Sequence, residues 1–560
     1  MATVSTNRIV EKSWKGARLL LFLQAISKLL TFTLNQVLYR LTSPTILGLA
    51  YVQYDLILTT LLFLSREGLR CACLRQPLLP LPPVTQGDQR RTRILVNTSY
   101  LPFLAVLVGT IFYAGLRLVQ VDRGWLSGPG EDTTLPLALY VLSVLIELAS
   151  EPGYALIQAN MNFSTRVEAE GAALAIRTLL TLLGTLSSSP TIHLIPYTPW
   201  MHGVLPFAWA QVGYALTLYL YYLVDALRKG YLSYLWPKGP SSLIKGEKGK
   251  RSTKERWVDQ ERLSLTWTFT RQSILKHFLT EGDRLVISTV SSTTDQGLYA
   301  FVGNYGSLLA RLVFQPLEET SKALFARLFS TEGPSGPSEG KGKVDSGSID
   351  PSTKENTSSQ TLAAQTLALF IHLHLLLGLF LIFLAPAYTH LLIRLLGGEK
   401  WVLSGAPSLL ALYCAYIPFM GVNGVLEAFF QAVASPSELK RYNGAMVGFS
   451  ILYGLAGLGC IQGLGMGAYG LVLANMLSMS CRIYYCLSYS QSFLSQEKSD
   501  TLRTIHLLPH RVLVCASILG SGVLLASWKY LYLQGHATTY QMVGHVGIGG
   551  LVGLILLLIL

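Results

Sequence analysis

The sequence predicts an all-α polytopic membrane protein of about fourteen transmembrane helices. Three observations predict it. First, 51% of its 560 residues are hydrophobic and only 13% are charged, with a mean hydropathy of +0.42. Soluble domains carry roughly 25% charge, so this chain lacks the polar surface a soluble enzyme of its length would need. Second, the apolar residues fall in many separate runs near or above the ~20 residues that span a bilayer. Third, the basic residues are partitioned. When the loops are assigned alternately to two sides, one side receives 30 Lys and Arg and the other 5. That asymmetry is the positive-inside signal, and it places both termini in the cytosol.

Six segments come first, at 17–39, 46–65, 94–117, 135–159, 171–188 and 204–225. The first run is long and has no small-residue cleavage site, so it reads as a spanning helix rather than a secretory signal. These six form an N-terminal lobe over 1–226. A basic cytosolic linker, 227–271, follows, with Lys245-Gly-Glu-Lys-Gly-Lys-Arg251 at its centre. It is read first as a solvated topology determinant and second as a contact for anionic headgroups.

Six more segments, at 272–291, 298–326, 361–386, 403–432, 442–462 and 468–487, form a C-terminal lobe over 272–490. The seventh and eighth hold several charges. Between the eighth and ninth, residues 328–360 have the Gly/Ser/Pro/Lys composition of a disordered cytosolic loop. Two last segments, 512–528 and 541–560, lie in 491–560. A faint internal repeat relates segments 1–2 to 7–8, each pair placing acid and base late in its second helix. Parallel six-helix repeats are a transporter plan. The three N-x-[ST] sequons, at Asn97, Asn162 and Asn356, all face the cytosol in this topology and are expected to carry no glycan.

Ionisable groups in spanning helices cost ~2.5–3.5 kcal/mol each on insertion scales. They persist where they face water or one another. Arg66 and Arg70 are one turn apart, with Glu67 beside them. Asn304, Arg311, Gln315, Glu318 and Lys322 make one helical stripe, with a kink expected at Pro316. Glu147, Glu151, Tyr154 and Gln158 make another, and Asn423, Glu427 and Gln431 a third. Several polar stripes in one bundle imply a hydrated cavity. Glu281 with Arg284, and Glu318 with Lys322, have the spacing of structural ion pairs. For Arg66 and Arg70, near the cytosolic boundary, snorkelling to headgroups is a further reading, and at Arg40, on the opposite boundary, it applies more strongly.

No catalytic signature is present. The phosphate loop GxxxxGK[ST] and the zinc motif HExxH are both absent. His372 and His374, two apart, cannot share a helix face. The seven cysteines are scattered, odd in number and without CxxC, which gives neither a disulfide framework nor a zinc site. No cofactor, metal or catalytic residue is therefore expected. The net charge of +13 does not mark a nucleic-acid binder, because the basic residues lie in loops between apolar runs.

Several runs carry a resemblance. They are Leu64-Ser-Arg66-Glu67-Gly-Leu-Arg70, Glu281-Gly-Asp-Arg284 and Asp295-Gln-Gly-Leu-Tyr299. Asn304 through Glu319, Asn423-Gly-Val-Leu-Glu427 and Arg441-Tyr-Asn443 complete the set. Together they resemble the eukaryotic Rft family of oligosaccharide-translocation proteins of the endoplasmic reticulum, over almost the whole chain outside its two polar loops. The resemblance implies the MOP flippase superfamily, which also holds the MATE exporters and the bacterial lipid II flippase. It implies two six-helix lobes in a V around a central cavity, with two extra C-terminal helices. It also implies a substrate, dolichol-pyrophosphate-linked Man5GlcNAc2, moved from the cytosolic to the lumenal leaflet.

On that implication the pyrophosphate partners are Arg40, Arg66, Arg70, Arg284, Arg311 and Arg482, since guanidinium forks suit phosphate. Glu67, Asn304, Gln315, Asn423 and Glu427 would contact the glycan or orient the arginines. Partners are then the dolichol-linked oligosaccharide and membrane lipid, with no nucleic acid, and the sequence names no protein partner. Two rival readings stay open. One is a non-transporting accessory that binds the same glycolipid or organises the pathway. The other is a cation-coupled exporter of the MATE type.

Overall fold

The computed structural model describes residues 33–73, 80–118, 134–160, 162–188, 202–237, 260–330, 351–494, 509–532 and 539–560. The start of the first segment, the run 245–251 and the centre of the loop 328–360 lie outside the described residues. Every regular element described is helical. By packing, the chain forms two compact units, Met1–Arg284 and Leu285–Leu560.

The first unit opens with α1 (33–41). Next come α2 (Pro44–Gly48), a π-helical turn Leu49–Tyr54 and α3 (Asp55–Cys73), which run on as one span. Then follow α4 (Gln86–Ser99), α5 (Leu101–Leu118), α6 (Thr134–Ala149), α7 (Glu151–Ala159), α8 (Phe163–Ser187) and α9 (Leu205–Arg228). α4 starts well before its apolar run because Thr85 and Asp88 form a reciprocal capping box there. The core of this unit joins the π turn and α3 to α6 and α9 through Tyr54, Leu58, Tyr140, Leu148 and Phe207. Tyr54 and Tyr140 stack with centroids 4.9 Å apart.

α10 (Gln260–Val290) crosses the boundary between the units. Its part up to Arg284 is tied to α3. His277 shares a 2.9 Å hydrogen bond with Thr60 and stacks on Phe63. Gly68 lets the two backbones close up, since a Cβ there would lie 2.7 Å from the Thr266 carbonyl oxygen and 2.8 Å from the Thr270 nitrogen. The boundary by packing thus lies one helix beyond the basic linker.

The second unit continues with α11 (Thr293–Leu309), a π turn Ala310–Phe314 and α12 (Gln315–Ser330). α13 (Pro351–Phe383), α14 (Thr389–Leu396), α15 (Glu399–Leu403) and α16 (Ala406–Val433) come next. α17 (Pro436–Leu458), α18 (Gly467–Leu494), α19 (Arg511–Tyr532) and α20 (Thr539–Ile559) complete it. With α12 reaching Ser330 and α13 starting at Pro351, both ends of the 328–360 stretch are helical.

α16 is apolar around most of its circumference and takes the centre of the unit, against α11, α12, α13 and α18. The core there includes Phe325, Leu367, Leu426, Phe429, Phe430 and Tyr442. α19 and α20 dock on α13 through Leu379, Leu524, Val552 and Leu556. Buried His545 joins them by sharing hydrogen bonds with the Ser527 hydroxyl (2.9 Å) and the Ala387 carbonyl oxygen (3.2 Å).

Ten described helical stretches are long and apolar enough to cross a membrane. The other four segments of the fourteen are α1, described only from residue 33, then α9, α10, and α11 with α12. α9 holds five Tyr or Trp, which lower hydropathy yet suit the membrane interface. α10 and α12 carry the charges already noted in the sequence.

Candidate functional site

The charged stripe of α3 is met by the α6–α7 corner. Ser150 breaks that helix. Its backbone N–H and its hydroxyl both donate to the Glu147 carbonyl, at 3.1 and 2.7 Å. Glu147 and Glu151 then face the same way. Arg66 donates to Glu147 Oε1 at 2.7 Å and to Glu151 Oε1 at 3.2 Å. Arg70 grips Glu151 with two donors, Nε to Oε2 at 3.1 Å and Nη2 to Oε1.

The Glu151 carboxylate is therefore straddled by two guanidiniums. Its side chain is 1% exposed and that of Glu147 5%, whereas Arg66 and Arg70 keep 17% and 22%. Arg70 also lies 3.8 Å over the Tyr154 ring, a cation–π contact that fixes its plane. Two cations and two anions leave the cluster neutral. One acceptor stays over: Glu147 Oε2 is buried with no hydrogen-bond donor among the described residues.

A second charged cluster lies at the other end of α3. Arg284 Nη1 reaches Asp55 at 3.0 Å and Glu281 at 3.2 Å, and Arg177 of α8 approaches Asp55 at 3.8 Å. Arg284 thus has two acidic partners, one on its own helix and one on α3.

In the second unit the same residue types are arranged differently. Arg311 sits in the π turn and donates to the Asn304 carbonyl (2.9 Å), to Asn304 Oδ1 (3.2 Å) and to the Ser307 carbonyl (3.4 Å). No carboxylate among the described residues bonds it. Gln315 donates to Glu319 at 3.3 Å. Lys322 reaches Gln431 at 2.7 Å, whereas the Glu318 carboxylate rests against Gly424. Glu427 accepts from Asn423 at 3.3 Å and from Gln431 at 3.0 Å. Arg482 Nε is buried and meets no hydrogen-bond acceptor among the described residues. Arg40 is exposed at the end of α1, and Glu67 accepts a weak thiol contact from Cys71 at 3.8 Å.

The structure brings Arg66 and Arg70 together, and separately joins Asn304 to Arg311 and Asn423 to Glu427. Reading the sequence did not connect Glu147 and Glu151 to Arg66 and Arg70, nor Asp55 to Arg284. The available signal was charge accounting, since arginines within a span need acids within reach. No group of three or more His, Cys, Asp or Glu among the described residues is arranged to hold a metal ion. In the connection between α13 and α16, burial brings the Lys400 ammonium down to about 8.

This is the fold of the flippase-and-exporter class. It is similar to the lipid II flippase MurJ in an inward closed conformation, with a TM-score of 0.52 and 15% identity over 96% of this chain and 98% of that one. It is also similar to an inward-facing multidrug resistance MATE family transporter of the MOP superfamily, with a TM-score of 0.50 and 11% identity over 84% and 95% of the two chains. The chain belongs to the Rft protein family, whose sequence profile matches residues 12–560. Relatives include proteins called Man(5)GlcNAc(2)-PP-dolichol translocation protein RFT1. The Xenopus tropicalis protein is 30% identical over 98% of this chain and 94% of its own length. The Candida albicans protein is 31% identical over 87% and 82%.

Proposed function

We propose that this chain moves Man5GlcNAc2-PP-dolichol from the cytosolic to the lumenal leaflet of the endoplasmic reticulum membrane, as a transporter and not an enzyme, with both termini cytosolic. The observation that carries the reading is the pair Arg66 and Arg70, both bonded to one carboxylate inside a family whose relatives are named for this translocation. The head group carries about two negative charges and many hydroxyls, and neither crosses hydrocarbon unaided. Guanidinium forks match phosphate oxygens as they match a carboxylate.

Arg66 and Arg70 with Arg40, Arg284, Arg311 and Arg482 supply the cationic contacts. Asn304, Gln315 and Glu67 offer hydrogen bonds to sugar hydroxyls, and Asn423 and Glu427 orient their neighbours. The protein needs no cofactor and no nucleic acid for this. The test is replacement of Arg66, Arg284 or Arg482 by Ala and by Lys in cells that depend on this chain for N-glycosylation. Lys should keep part of the glycosylation that Ala loses. Full glycosylation with all three alanine variants would remove the assignment.

An accessory that only binds the glycolipid would use the same arginines. Leaflet exchange in a purified system separates the two.

A further inference from the structure

We propose that Glu151 is a resident anion that fills the phosphate place between Arg66 and Arg70, and so sets how weakly the site holds its ligand. The proposal rests on the reading that this arginine pair meets the pyrophosphate.

The geometry is that of a bound phosphate with a carboxylate in its stead. Arg70 makes a two-point fork to Glu151, and Arg66 adds a third donor to the same oxygen, Oε1. Such bidentate, charge-assisted contacts are the ones guanidinium makes to phosphate. The two arginines keep a fifth of their surface open, while Glu151 lies behind them and is closed off. An anion arriving from the open side meets two guanidiniums whose bonded donors, two from Arg70 and one from Arg66, point inward to Glu151. To be held, it must turn those donors outward and leave Glu151 buried without a counter-charge.

A buried carboxylate stripped of its partners is strongly unfavourable. Every binding event thus carries an opposing term built into the protein. Without it, two desolvated arginines on a pyrophosphate would hold too tightly for release, and a translocator must release on the far side. Glu147 supports the device. It already holds Arg66, and its free Oε2 gives Arg66 a place to return to when the ligand leaves.

The experiment uses the purified full chain in lipid nanodiscs and inorganic pyrophosphate alone as the probe, with Kd read by calorimetry. Glu151→Gln keeps the size of the side chain and removes its charge, and should tighten Kd at least tenfold. Glu147→Gln should tighten it by less. Glu170→Gln, which removes the acid of the neighbouring Arg166 pair, should stay within twofold. Unchanged or weaker binding by Glu147→Gln overturns the proposal even if Glu151→Gln cannot be purified. So does equal tightening by Glu170→Gln, which would reduce the effect to net charge.

Arg66→Lys and Arg70→Lys mark which claim has failed. If they weaken binding while neither Gln variant tightens it, the resident anion falls and the phosphate reading stands. If they leave Kd unchanged as well, the pair does not meet phosphate and both fall.

Discussion

Replacing Glu151 by alanine should be among the most damaging single changes in the first unit. Its carboxylate takes three of the four arginine contacts in the cluster and is 1% exposed. Removing it leaves Arg70 with no acid in contact and Arg66 with Glu147 alone. Breaking one side of a buried pair costs about 3–5 kcal/mol. The residual exposure of the two arginines places the expected loss near the lower end, at about 3 kcal/mol. Glu147→Ala removes one charged hydrogen bond and leaves Arg66 on Glu151, so about 1.5–2 kcal/mol is expected.

The paired change Arg70→Leu/Glu151→Leu removes both charges and should be milder than Glu151→Ala alone, because no cation is stranded. The assay is unfolding of the purified protein in micelles, followed by intrinsic fluorescence, with the variants compared at one lipid-to-detergent ratio. Pyrophosphate should restore part of the stability that Glu151→Ala loses, since a ligand that binds only the folded chain stabilises it. Unfolding of Glu151→Ala no earlier than Glu147→Ala, or a double variant less stable than the single one, would contradict this ordering.

Three further outcomes are expected. Gly68→Ala should cost about 1–3 kcal/mol by forcing α3 from α10, because besides the Thr270 hydroxyl it would strike the Thr266 carbonyl oxygen and the Thr270 nitrogen, backbone atoms that cannot rotate away; the midpoint of thermal unfolding reports it. Lys400 releases its proton more readily folded, at about 8, than free, at 10.5, so unfolding takes up protons between those values. Stability should rise with pH across that window and stay flat below it, and Lys400→Met should remove the slope. In sealed microsomes, cytosolic protease should cut within 227–271 and endoglycosidase should leave mobility unchanged; a shift abolished by Asn356→Gln would overturn the topology.

The helical membrane fold was legible because bilayer length acts locally along the chain. Helix ends were less so. α4 begins at Gln86, fixed by a Thr85–Asp88 box that the apolar run 94–117 does not contain. Pro316 was readable as a disturbance. Lacking an N–H and crowding the Leu312 carbonyl, it stands two residues beyond a π turn at Ala310–Phe314, which carries Arg311. The step of seven from Asn304 to Arg311 appears as a hydrogen bond between them. Partners remote in sequence could not be read. Arg66 lies 81 residues from Glu147, and Arg284 lies 229 from Asp55. Helical spacing orders residues on one helix, whereas these pairs depend on which helices pack together.

Translocation by this chain is measured by reconstituting the purified protein into sealed vesicles holding Man5GlcNAc2-PP-dolichol and following how much glycan an external lectin can reach over time. Translocation predicts that the accessible fraction rises from the outer leaflet share towards completion, at a rate that scales with protein per vesicle and falls with Arg66→Ala. Vesicles that bind the glycolipid through the protein yet exchange it no faster than protein-free ones would contradict the claim.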